Sequence, residues 1–302
     1  MEFDWSEEDE RFREEFRAFL EEVLPDDWES MSEHGPGSDA QAEFSRSFCR
    51  AMADRGWLTQ HWPAEYGGRD ASPWRHAVVG EELWAVGEPR GPQYMNVNWI
   101  GPAIMAFGSD EQKAFHLPRI SRGEVLWCQG FSEPEAGSDL VALRTAARRE
   151  GDDYVVDGSK IWTSYANHAD FCIALVRTDP ASSRHRGISV LLLPMDTDGI
   201  EVREIPSVVG DRYFHEVFFD DVRVPVSCRL GPENEGWSVV TYALQYERVG
   251  AARYARAGLT LDRIASDARD RGLLDDPAVA EEAARAAVMI AERIKDELRT
   301  RR

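Results

Sequence analysis

The spacing of apolar residues changes twice along this chain, and that change restricts the fold more than any single motif. From Trp5 to about Arg122 the spacing is helical: "RFREEFRAFLEEVL" lines up Phe12, Phe16, Phe19, Leu20, Val23 and Leu24 as one stripe on an acidic helix. "GWLTQHWPAEYGG" interrupts the pattern as a loop, and "GSDEQKAFHLPRI" restarts it, with Ser109 as N-cap and Gln112 closing a capping box. From about Leu126 to Leu230 come short β-branched and aromatic runs broken by turns, among them "FCIALVRT", "GISVLLLPM" and "YFHEVFFDDVRVPV". Asp157-Gly158 within "DYVVDGSKIWTS" predicts a hairpin turn, because both positions tolerate positive φ. The helical period returns at Gly236. This order predicts an α+β fold: an N-terminal α-helical domain over residues 1–124, a middle β-barrel-like domain over 125–235, and a C-terminal helical domain over 236–302.

Composition excludes several function classes. With 43% hydrophobic residues in 302, the chain can bury a large core or two to three smaller ones. Its 55 acidic against 35 basic residues leave a formal net charge of -20, which argues against nucleic acid and anionic membranes as partners. The acidic start "MEFDWSEEDERF" does not read as a signal peptide, and no apolar run reaches the roughly 18 residues a bilayer span needs. Cys49, Cys128, Cys172 and Cys228 stand too far apart for a zinc or disulfide pattern, and the histidines show no ligand spacing. The expectation is a soluble cytoplasmic protein without a metal.

The ten residues "GFSEPEAGSD", from Gly130 to Asp139, carry the strongest local signal. Glu133, Glu135 and Asp139 are close enough to suggest a metal site, although their spacing matches no calcium loop and Pro134 stiffens the middle. A polar surface turn is the plain alternative. A third reading comes from position: a strand ending "LWCQGF" runs into a glycine-rich turn whose N–H groups and hydroxyls are free to face a ligand edge. Some thirty residues later "KIWTS" offers an indole followed by two hydroxyls, Trp162, Thr163 and Ser164. Together the two segments suit a flat heteroaromatic ring with polar edges.

"GFSEPEAGSD", "GSKIWTS", "GSDEQKAFHLPRI" with "GEVLWCQ", and "GPENEGW" leading into "ERVGAARYA" resemble the acyl-CoA dehydrogenase family over almost the whole chain. Within it the chain is similar to actinobacterial members acting on steroid side-chain CoA thioesters. The resemblance implies an FAD between the β-domain and the C-terminal helices. By match to the family pattern, Gln129, Gly130, Phe131, Ser132, Gly137 and Ser138 belong to the segment that wraps the flavin. Phe131 and Ser132 would meet the pyrimidine edge, and Ser138 would touch both FAD and CoA. Trp162 would cover the ring, with Thr163 beside it and Ser164 near N5. The opening acids are then not catalytic: Glu133 and Asp139 are expected to hold the turn.

Dehydrogenation α,β to a thioester needs a hydride acceptor and a carboxylate base in a dry pocket. On the helix from Trp237 the face Trp237, Val240, Leu244, Ala251, Ala255 and Gly258 also carries Glu247. An acid on a buried stripe is either paired, here to Arg248 or Arg253, or functional. The resemblance favours function, since a subset of the family carries its base on this helix as a Glu directly before an Arg. It also implies that Arg248 organises the substrate site, that Gln245 contacts the CoA chain, and that an electron-transfer flavoprotein takes the electrons. Family members continue through further helices beyond the point matching Arg302, so the C-terminal domain is expected to be partial. A homo- or hetero-oligomer follows, with a non-catalytic scaffold subunit in an unlike pair as the alternative role.

Overall fold

The computed structural model describes residues 5–33, 38–182, 184–208, 213–247, 251–273, 277–278, 281–282 and 284–285. Helix α1 (Glu7–Val23) starts at Ser6, whose hydroxyl accepts the Asp9 N–H at 3.1 Å, and four acids fill its first turn. Its stripe buries Phe12, Phe16, Phe19 and Leu20 in a core shared with Phe48, Cys49 and Met52 of α3 (Asp39–Asp54) and Val78, Val79 and Leu83 of α4 (Pro73–Ala85). Short α2 (Trp28–Glu33) lies between the first two. Arg13 joins α1 to α4 by salt bridges to Glu82 (2.6 Å) and Glu81 (2.9 Å).

After α4 the chain forms α5 (Gln93–Met95), a π turn (Asn96–Ile100) and α6 (Gly101–Phe107). Helix α7 (Asp110–Ser121) opens with the expected capping box, Ser109 and Gln112 each bonding the other's backbone. Strands follow: β1 (Trp127–Gly130), β2 (Ala146–Glu150), β3 (Asp153–Ser164), β4 (Phe171–Arg177), β5 (Ile188–Pro194), β6 (Ile200–Glu204), β7 (Phe214–Pro225) and β8 (Arg229–Leu230). They form one sheet in the order β6-β7-β3-β2-β4-β5-β8, with β1 parallel to β4. A core of Cys128, Tyr154, Val156, Ala174, Leu191, Leu193, Val217 and Phe219 lies between its two halves. The sheet wraps this core, although its path among the described residues runs from β6 to β8 without closing.

The predicted hairpin at Asp157-Gly158 is absent. Strand β3 passes straight through both residues and pairs with β7 on either side of a bulge between Val156 and Gly158. Gly158 has φ +144, and a Cβ there would sit 2.7 Å from the Thr145 Cα. A glycine at positive φ serves a bulge as readily as a turn, and sequence alone does not separate the two.

Helix α8 (Gly236–Glu247) buries Val239, Val240 and Ala243 against Trp99, Ile100, Trp127 and Leu192, joining the helices to the sheet. The single helix expected from Trp237 to Gly258 does not extend that far. A 3₁₀ turn (Ala251–Arg253) and a separate α9 (Tyr254–Asp270) follow, and residues 248–250 lie outside the described part. Most of the predicted last helix, from "DPAVAEEAARAAVMIAERIKDELRTRR", also lies outside it. Among the described residues no helix is long and apolar enough to cross a membrane.

Candidate functional site

Strand β1 delivers the first half of the site. Gln129 is half-buried, and its side-chain carbonyl accepts the Trp99 indole N–H at 2.9 Å, a contact from the π turn that sequence did not reveal. Phe131 is buried and Ser132 half-buried. Glu133 and Ala136 then exchange backbone hydrogen bonds at 3.1 and 3.0 Å, closing a tight turn that leaves Gly137 and Ser138 exposed.

The three acids of this turn separate into different roles. Glu133 is buried, accepts the Arg144 and Thr145 N–H groups at 2.6 and 2.9 Å, and pairs with Lys160 Nζ at 2.8 Å. Burial alone would raise its carboxyl, but the Lys160 charge and these hydrogen bonds outweigh burial and hold it below the usual carboxylate range. Glu133 therefore holds the turn, as expected. Asp139 does not: it is exposed, and its side chain makes no cap on the 3₁₀ turn Leu140–Ala142 that it precedes. Its carbonyl, not its carboxylate, accepts the Ala142 N–H. Glu135 is exposed, and no group of three His, Cys, Asp or Glu among the described residues could hold a metal ion.

Strand β3 supplies the second half. Its pairing with β7 slips a second time between Lys160 and Thr163. This bulge turns Trp162 outward at φ +59, leaving the indole 56% exposed and edge-on to Phe214 at 5.9 Å. A bulky residue at positive φ is a strained position, and such positions gather at ligand sites. Thr163 beside it is fully buried, with a hydroxyl that has no protein partner, while Ser164 is half-buried. An exposed ring face next to an unpartnered buried hydroxyl fits a flat group with a polar rim. The two halves are tied together: Ile161 N–H donates to Ser132 O at 2.9 Å, and Lys160 Nζ to Phe131 O at 3.2 Å.

Glu247 ends α8 and is half-buried, while Gln245 is exposed on the same helix. Arg248 lies outside the described residues. The Glu247 charge reaches Tyr94, whose hydroxyl burial pushes above its ordinary range, with Tyr213 adding to the rise and Arg253 opposing it. Arg253 also sits over the Tyr94 and Trp84 rings at 5.9 and 5.6 Å. Tyr94 in turn packs edge-on to Trp99 at 5.3 Å. Packing thus joins Tyr94 to the Gln129 segment through Trp99. Sequence reasoning missed both aromatics, since only tertiary packing joins them to the site. It also missed Lys160, although strand alternation gave a signal: Lys160 shares the inward parity of Tyr154 and Val156.

Comparison with known proteins places the chain as a whole among its relatives. Residues 6–124 match the family described as acyl-CoA dehydrogenase, N-terminal domain, and residues 128–222 match its middle domain. Acyl-CoA dehydrogenase FadE26 of Mycobacterium tuberculosis is 40% identical over 257 residues, covering 82% of this chain and 62% of the relative. The solved structure titled Tcur3481-Tcur3483 steroid ACAD superposes with a TM-score of 0.87 at 36% identity, covering 97% of this chain and 76% of that one. A chain of the ChsE4-ChsE5 complex from Mycobacterium tuberculosis gives 0.80 at 34% identity, with 96% and 75% coverage.

Proposed function

This chain belongs to the acyl-CoA dehydrogenase family, and on that premise we propose that it binds FAD and dehydrogenates an acyl-CoA thioester, with Glu247 as the base. The observation that supports this best is the exposed Trp162 indole beside the buried, unpartnered Thr163 hydroxyl, on a strand tied to the 130–138 turn. Bound FAD would supply the hydride acceptor that no side chain can provide.

The protein's own part is to bind, orient and take a proton. Trp162 offers the flavin a stacking face, and half-buried Ser164 offers a hydroxyl at its rim, with buried Thr163 between them. Because the Phe131 and Ser132 carbonyls face β3, the pyrimidine edge is left to N–H groups and the Ser132 hydroxyl. Exposed Ser138 and Gln245 meet the CoA moiety. Glu247, on the helix that packs against the sheet, takes the α-proton. Positioning the reacting groups supplies about 7 kcal/mol or more of the barrier reduction. The substrate class is a bulky or branched acyl chain, with a steroid side chain as the specific candidate from the Tcur3481-Tcur3483 similarity. An electron-transfer flavoprotein is the proposed acceptor.

Similarity to a chain of the ChsE4-ChsE5 complex favours a second reading, in which this polypeptide is a scaffold completing a partner subunit's flavin site. One variant separates the two. Glu247→Gln keeps the shape and removes the base, so flavin should stay bound while its bleaching by acyl-CoA slows at least about a hundredfold. Bleaching at an unchanged rate in the assembled complex assigns the chemistry to the partner.

A further inference from the structure

Lys160 is the feature that the proposed reaction leaves unused. Its side chain is 0% exposed inside an acidic protein, and its recorded hydrogen bonds go to two atoms of one turn, Glu133 Oε1 at 2.8 Å and the Phe131 carbonyl at 3.2 Å. Burial pulls the ammonium below its ordinary value against the opposing pull of Glu133. A buried ion pair is weak evidence of stabilisation, because apolar residues of equal volume often serve as well. Its location says more. Lys160 is the last residue of β3 in register with β7 before the slip that turns Trp162 outward. Glu133 is the residue that closes the turn after Phe131 and Ser132, and it also grips the Arg144 and Thr145 N–H groups.

The end of β1, where the turn begins, rests on the lysine stem. A Cβ on Gly130 would lie 3.3 Å from Lys160 Cγ and 2.9 Å from Cys172 Sγ of β4, so no larger residue fits there without a shift. The separation of the two cradle segments is therefore set by this side chain and its counter-charge together with the Ile161–Ser132 backbone bond.

We propose that the buried Lys160–Glu133 pair is the positioning device of the flavin cradle, fixing the distance between the 130–138 turn and the Trp162 bulge. This rests on the FAD reading above. The pair touches no cofactor atom in this proposal; it acts through the Phe131 carbonyl and the Glu133 turn.

The test uses the full chain as it assembles in solution. Wild type, Glu133→Asp, and the double variant Lys160→Met with Glu133→Gln are compared for FAD dissociation constant, visible circular dichroism of bound flavin, and melting temperature of the apoprotein. Glu133→Asp keeps both charges and withdraws the carboxylate by one methylene, which protects the fold; the double variant removes both charges and leaves no unpaired ion. Each should bind FAD about tenfold or more weakly, the effect of one misplaced hydrogen-bonding segment, with an altered flavin dichroism band. The Glu133→Asp melting temperature should stay near that of wild type. Folded Glu133→Asp that holds FAD with unchanged affinity and dichroism overturns the proposal. A wild-type assembly that binds no FAD overturns the cofactor reading itself, a separate result.

Discussion

A tryptophan held at φ +59 with its ring 56% exposed stabilises nothing that the fold alone requires. Its backbone strain is worth roughly 1–3 kcal/mol, so glycine at position 162 should be tolerated, because glycine adopts that φ freely. Trp162→Gly is expected to leave the melting temperature unchanged or raised while FAD affinity falls through loss of the stacking face. A matched fall in both quantities would mean that the indole is structural. The residue was legible in the sequence and its strain was not. "KIWTS" advertised an indole and two hydroxyls, but nothing local announced the slip against β7 that exposes one and buries the next. Lys160 was overlooked for a related reason: a lysine between two strand residues reads as solvated until the packing beneath it is known.

Elements closed by their own near neighbours were the readable ones. The Ser109–Gln112 box depends on contacts three residues apart, and α7 begins where the sequence put it. The α8–α9 break and the Gly158 bulge depend on what packs against them, and both were misjudged. The same burial of helical elements makes stability depend on pH. His76 of α4 stacks on His61 at 3.7 Å, and burial, with Arg90 adding to it, lowers His76 to about 4. His61 is also held well below its ordinary value, by burial and then His76 and Arg90, and burial lowers His116 of α7 to about 4. These rings stay neutral in the folded protein, while the unfolded chain protonates them near 6.5. The stability they contribute is fully present above about pH 6.5 and is lost as pH falls towards about 4. Each proton taken up on unfolding steepens the loss by up to about 1.4 kcal/mol per pH unit. Urea midpoints should drop from pH 7 to pH 5, and His76→Asn should flatten the slope. A midpoint constant across that range would contradict the assignment.

Apolar surface around α8 and α9 bears on how the folded chain associates. Tyr246, Tyr254 and Ile264 are 43%, 46% and 60% exposed there, and α9 buries only Ala268 among its described residues although it packs on α4. Scattered exposed hydrophobics are ordinary, but these lie on two consecutive helices, α8 and α9. The chain spans 62% of FadE26 and 76% of the Tcur3481-Tcur3483 steroid ACAD chain. Exposed apolar surface of this kind fits an associated subunit, and a net charge of -20 opposes pairing with a like surface unless the contact is apolar. Co-expression with an unlike acyl-CoA dehydrogenase subunit should therefore give a heteromer by native mass spectrometry, and Ile264→Asp should dissociate it while leaving the circular dichroism of the subunit unchanged. FAD should be held more tightly by the heteromer than by the dissociated subunit, the linkage expected if the associated subunit completes the flavin site. A monomer that holds FAD equally well at every concentration would show that this chain completes its own site.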